Sequence, residues 1–153
     1  MSTAGAARPS EAMSILKKLD AVNWNRVACV YVRLALAAAF LSAVAGRFGI
    51  WSGEGLRHFS TFFQRTADVN SFMPSWTIHP LAYLATGAEI FFALALLAGI
   101  WPRWIALGSA LLLAMFATAM AISFGIKEPL DYSVYSASAA AFLLAMNSPP
   151  RKP

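Results

Sequence analysis

The sequence is short of charge. Asp, Glu, Lys and Arg make up only 12% of its 153 residues, against roughly 25% in an ordinary soluble domain. With 59% of the chain hydrophobic, the apolar surface is too large for one water-soluble core, and an integral membrane protein is the class that remains. Cysteine is nearly absent. Cys29 stands alone, which excludes an intramolecular disulfide and a CxxC redox pair. The two histidines, His58 and His79, lie far apart in sequence and give a zinc site no ligands of the usual spacing. Haem-ligand pairs and nucleotide-binding motifs are also lacking, which argues for no cofactor in the chain itself and against redox chemistry by this chain alone. The net charge of +5 would suit nucleic acid, but the basic residues are dispersed between apolar stretches. That arrangement orients membrane spans, so the expected partner is the lipid bilayer and not nucleic acid.

What the sequence does contain is a series of long apolar runs. The clearest is Leu81 to Trp101, LAYLATGAEIFFALALLAGIW, which at about 1.5 Å per residue reaches roughly 32 Å, the thickness of a hydrocarbon core. The expected spans are about residues 27–45, 81–101, 104–124 and 130–147, within a membrane domain over 26–147. Residues 1–25 read as a cytoplasmic polar and amphipathic segment, and 148–153 as a cytoplasmic tail ended by prolines. Ala43-Val44-Ala45 resembles a signal-peptidase site, but a long polar N-region and an arginine inside the span fit a retained anchor better. Between the first two spans, Leu56, Phe59, Phe62 and Phe63 recur at helical spacing opposite Arg57, Ser60, Thr61, Gln64 and Arg65, the pattern of a helix lying along the interface. The fold class is therefore all-α, an integral membrane four-helix bundle with an interfacial helix between spans 1 and 2. Seven Lys and Arg flank the spans on the N-terminal side and four on the other, which predicts both termini in the cytoplasm. Small residues four apart predict the packing faces. They are Ala38, Ser42 and Gly46 in the first span, Ala106, Ala110, Ala114 and Thr118 in the third, and Ser133, Ala137, Ala141 and Ala145 in the fourth.

Arg33 and Glu89 are the only formally charged residues well inside these spans. An isolated carboxylate in hydrocarbon costs at least about 2.5–3.5 kcal/mol on insertion scales, so Glu89 requires a partner, a proton or a wet cavity. One reading is an Arg33–Glu89 pair lining a pocket for a polar-headed lipophile such as a quinone, or serving as a proton relay. The other is an ion pair that locks two helices, which already explains why both charges are tolerated. Arg47 competes as the partner of Glu89 from the far rim. Asp131, Tyr132 and Tyr135 stand at the mouth of the fourth span, where Asp131 is placed to cap the helix and face Lys127 or Arg47. These six are the candidate intramembrane polar or ligand-facing residues, with no catalytic and no metal-ligating residue among them. His58 and His79 read as interfacial. Met115, Phe116, Met120 and Phe124 read as packing in preference to a cofactor box. Cys29 reads as a small buried apolar residue, with reversible palmitoylation the alternative.

Three stretches carry a family likeness: Leu41 to Trp51 (LSAVAGRFGIW), Ala88-Glu89, and Gly125 to Val134 (GIKEPLDYSV). Together they resemble the DoxX family of small bacterial membrane proteins, over roughly Arg33 to Ala145. One departure is Gly46, where relatives often carry an acid. The resemblance implies four transmembrane helices in a bacterial inner membrane. It also implies two function classes, since the family includes a subunit of a thiosulfate:quinone oxidoreductase alongside members with no known activity. The first is a non-catalytic subunit, assembly factor or lipophile-binding module with a membrane or soluble partner subunit, and it is favoured by the missing redox centres. The second is the membrane subunit of a quinone-linked oxidoreductase, its cofactor supplied by a soluble partner.

Overall fold

A computed structural model describes residues 23–53 and 58–148 of the chain. The expectations for the N-terminal segment, for Leu56 and Arg57, for the side chains of His58 and Phe59, and for the proline-rich tail lie outside the described residues. Among those residues every regular element is helical: α1 (Trp24–Arg47), α2 (His58–Val69), a 3-10 turn (Ser75–Thr77), α3 (Ile78–Ala98), α4 (Pro102–Phe124), α5 (Lys127–Asp131) and α6 (Val134–Asn147).

Local chemistry sets most of the boundaries. α1 begins before the expected residue 27 because Asn23 caps it, its side chain accepting from the Arg26 amide at 3.1 Å. α3 begins at Ile78, ahead of the expected Leu81. Pro80 does not delay it, since an amide in the first helical turn has no partner to lose. The same helix stops at Ala98, short of the expected Trp101, where Gly99 turns left-handed at φ 68° and its amide and that of Ile100 close on the Leu96 and Ala95 carbonyls. Pro102 then opens α4 at the position where a missing amide costs nothing.

α1, α3 and α4 are long and apolar enough to cross a membrane. The last helix differs from the span expected over 130–147. Leu130 and Asp131 belong to the short α5, Ser133 takes a left-handed φ of 56°, and α6 starts only at Val134. Its 14 residues cover about 21 Å, against roughly 30 Å of hydrocarbon.

The helices pack around a shared core, α1 on α3, α3 on α4, α4 on α6 and α6 back on α1, while α2 packs on α1, α3 and α4. At its centre are alanines with no exposed surface, Ala37, Ala93, Ala106, Ala141 and Ala145, interleaved with Leu36, Phe40, Leu96 and Leu144. Side chains this small let backbones approach, the usual basis of helix association in lipid. Ser138 adds a cross-helix bond, donating to the Ala110 carbonyl at 2.8 Å. Long apolar side chains such as Leu84, Leu111, Ile122 and Phe142 project outward and are exposed. That inversion suits a hydrocarbon solvent and makes the chain an integral membrane protein.

The expected packing stripes divide. Ala106, Ala110, Ala141 and Ala145 are buried, but Ala38 and Ser42 of α1 are exposed and the buried face lies one residue round, at Leu36, Ala37, Phe40 and Val44. Spacing of small residues alone does not distinguish these neighbouring faces, and the bulkier Leu36 and Phe40 decide which one turns inward. Ala110→Leu and Ala141→Leu are each expected to lower stability by about 1–3 kcal/mol through overpacking, and Ala38→Leu to leave it unchanged. Thermal unfolding in detergent reads all three, and a loss at Ala38 equal to the others would place the wrong face inside.

Candidate functional site

The site grows from the last turn of α1. Arg47 is the final residue of that helix, where a cation meets the negative end of the helix dipole, and its side chain is 13% exposed. Three neighbours fix the guanidinium. Nη2 donates to Glu89 Oε1 at 2.6 Å, Nη1 donates to Thr86 Oγ1 at 3.0 Å, and the group lies over the Phe62 ring, 4.2 Å from its centroid. Thr86 is oriented in turn, because its hydroxyl donates to the Ala82 carbonyl at 2.8 Å and so turns a lone pair to Arg47. One arginine on α1 thus joins α2 and two positions on α3.

Glu89 is 2% exposed. Its Oε1 carries the bond to Arg47, while Oε2 is buried and has no hydrogen-bond partner among the described residues. Such an orphan is uncommon, since buried polar atoms are nearly always satisfied, and it asks for an explanation. Glu89 and Arg47 stand in the wall of a cavity of about 310 Å³ at the end of the bundle where α1 stops and α3 starts. Phe62, Thr66 and Val69 of α2 form one wall, Ala39, Phe40 and Ala43 of α1 another, and Phe116, Ala119 and Met120 of α4 a third. Arg65 stands at this end with its guanidinium 5.6 Å from the centroid of the Phe124 ring. The lining is thus mainly apolar, with one ion pair set into it and Arg65, Thr66 and Asn70 as its other polar members.

The sequence favoured Arg33 as the partner of Glu89, and the geometry corrects this. Arg33 faces the other end of α3, donating from Nε and Nη2 to the Leu96 carbonyl at 3.1 and 2.6 Å and from Nη2 to the Leu97 carbonyl at 3.4 Å. Those carbonyls belong to the last helical turn, where the amide four residues on is no longer helical, and the Leu96 carbonyl shares Arg33 with the Gly99 amide. Arg33 therefore seals a helix end, and Arg47, the competing candidate, holds the acid. Asp131 does not cap α6, whose N-cap position is Ser133. It pairs with Lys127 one turn back on α5, in the open, and not with Arg47. Tyr132 is exposed, and Tyr135 lines a shallow groove between α4 and α6 with Ala110, Ala114 and Phe142. His79 is exposed and packs on Phe63, ring centroids 4.3 Å apart. Cys29 is half-buried against the core.

Two parts of the site escaped the sequence reading. Thr86 lies three residues before Glu89 and so on the same helical face, a signal that could have been used. Phe116 and Met120 were assigned to packing, yet both border the cavity. No linear pattern marks where a wall of alanines leaves a space.

Comparison with known proteins supplies the family. A model described as methylamine utilisation protein MauE matches residues 25–131. This overturns the DoxX resemblance, for the match is to a different family and none to DoxX is found. The stretches behind that resemblance, Leu41 to Trp51, Ala88-Glu89 and Gly125 to Val134, are two short segments at helix ends and one residue pair at a buried acid, features open to many small helical membrane proteins. They do not separate one such family from another. No curated protein and no solved structure matches the chain.

Proposed function

The chain belongs to the MauE family, and from that premise we propose that it is an integral membrane accessory protein of methylamine utilisation. It acts without catalysing a reaction, by holding a lipophilic molecule in the cavity beneath α2. The observation that carries this reading is the combination of an apolar cavity with a buried, half-satisfied carboxylate in its wall. A purely structural ion pair would be expected to close on itself with every lone pair used, since buried charges are costly unless fully paired and hydrogen-bonded. A few polar groups converging in an apolar concavity are instead the usual make-up of a ligand site. The reduced, hydroxyl-bearing head group of a quinone is one lipophilic group of suitable character. Lys127 and Asp131, exposed on α5 beside the start of α6, give a partner protein a polar surface at the same end of the bundle.

In this reading α6 completes a four-helix membrane bundle, and its short length is made up by the α5 turn that precedes it. The excess of basic residues on the N-terminal side supports cytoplasmic termini in a bacterial inner membrane, which sets the cavity on the opposite face.

Deletion of the gene is expected to abolish growth with methylamine as the only nitrogen source while leaving growth on ammonium intact. The wild-type gene restores it, and Ala119→Phe, which fills the cavity without touching the ion pair, does not. Undiminished growth of the deletion strain on methylamine would remove the reading.

A further inference from the structure

Given the proposed role as a lipophile-binding accessory protein, on which this step rests, we infer that the cavity selects a neutral, hydroxyl-bearing lipophile whose O–H donates to Glu89 Oε2. Charge is the first constraint. Arg47 and Glu89 already neutralise one another across 2.6 Å, and Arg65, the other charge on the lining, is exposed and set against the Phe124 ring, so an ionic group placed beside Glu89 would be uncompensated there, which is costly. Polarity is the second. The Arg47 guanidinium already donates to Glu89 and Thr86, whereas the buried atom left without a partner among the described residues of the wall, Glu89 Oε2, is an acceptor. An ionised carboxylate offers no donor, so the molecule that completes it must supply one. A carbonyl compound, with acceptors only, leaves Oε2 as unsatisfied as before.

Size is the third constraint. The cavity of about 310 Å³ lies at the small end of the roughly 300–1,000 Å³ usual for ligand pockets. A monocyclic ring with a short apolar tail fits that volume. The ring would lie among Phe40, Phe62 and Phe116, with the tail toward Ala119 and Met120. Phenolic and aliphatic alcohols share the chemistry, and both present one O–H on an apolar body.

The test uses the full chain in lipid nanodiscs, with para-butylphenol and its methyl ether, para-butylanisole, as probes that differ in the donor alone. Calorimetric titration is expected to show the phenol binding at least about tenfold more tightly than the ether, the usual worth of a hydrogen bond to a charged group. Ala119→Phe, with the ion pair untouched, is expected to weaken both probes by at least tenfold. Glu89→Gln is expected to narrow the preference, because a neutral amide accepts less strongly than a carboxylate. Equal affinities for phenol and ether in the wild-type protein would overturn hydroxyl recognition, water being a sufficient partner for Oε2, while growth on methylamine would still report separately on the function. Binding of both probes unaffected by Ala119→Phe would overturn the placement in this cavity. A full preference kept in Glu89→Gln would overturn Glu89 as the acceptor.

Discussion

Arg47→Leu is expected to destabilise the protein by about 3–5 kcal/mol, the typical cost of stranding one charge of a buried pair, whereas Arg47→Leu with Glu89→Leu should recover most of the loss. The single variant leaves Glu89, 2% exposed, beside no cation. The double variant removes the desolvated charge together with its need for a partner. Guanidinium loss also frees Thr86 and uncovers Phe62, so recovery should stop short of the parent. Arg33→Leu provides the contrast. Its side chain bonds the carbonyls of Leu96 and Leu97, about 10 Å along α3 from Glu89, a distance at which effects ordinarily add. Unfolding in mild detergent, carried through both double-mutant cycles, should give a large coupling for Arg47 with Glu89 and little for Arg33 with Glu89. The reverse pattern would restore the pairing that the sequence alone favoured.

The second large effect is expected at Gly99. Its φ of 68° costs an ordinary residue about 1–2 kcal/mol. A Cβ there would also stand 2.7 Å from Arg33 Nη2, closer than any real contact. Gly99→Ala must therefore displace the guanidinium, which weakens charge-assisted bonds worth at most about 1.5–3 kcal/mol. The two losses share a cause, so Gly99→Ala combined with Arg33→Leu should cost clearly less than the sum of the singles. Melting temperatures of the three variants decide it. Additive losses, or a Gly99→Ala protein as stable as the parent, would show that glycine and arginine do not depend on one another.

These two arginines mark where the sequence was legible and where it was not. Composition and run length were enough to identify apolar helices at α1, α3 and α4, because hydrocarbon thickness imposes a length that the chain displays directly. Glu89 could be singled out for a similar reason: a carboxylate amid LATGA and IFFAL is costly wherever the helix sits. Its partner could not. Choosing between Arg33 and Arg47 requires the register of α1 against α3, which depends on where each helix begins and ends, and Asn23 and Gly99 set two of those limits at positions the apolar runs do not reveal. Charge pairing also ignored the backbone as a rival, yet the carbonyls at the end of α3 took Arg33. The short α6 has a similar origin, a single left-handed Ser133 that no hydropathy pattern records. The cavity is still less visible, since it exists only where three helices and α2 fail to meet.

The placement of both arginines on α1 bears on how the chain enters the bilayer. α1 is synthesised first, and as it leaves the translocation machinery Arg33 has no carbonyl to seal and Arg47 no acid, because every acceptor lies on α3. When α3 follows, Glu89 enters as an equally solitary charge. Each alone opposes partitioning by about 2.5–3.5 kcal/mol on insertion scales, and each is relieved by the other helix. The hairpin of α1 and α3, threaded through α2, is therefore the smallest stretch of nascent chain whose interior charges are satisfied within itself. α4 and α6, with no formal charge buried in their shared face, need no such chaperoning by a neighbour.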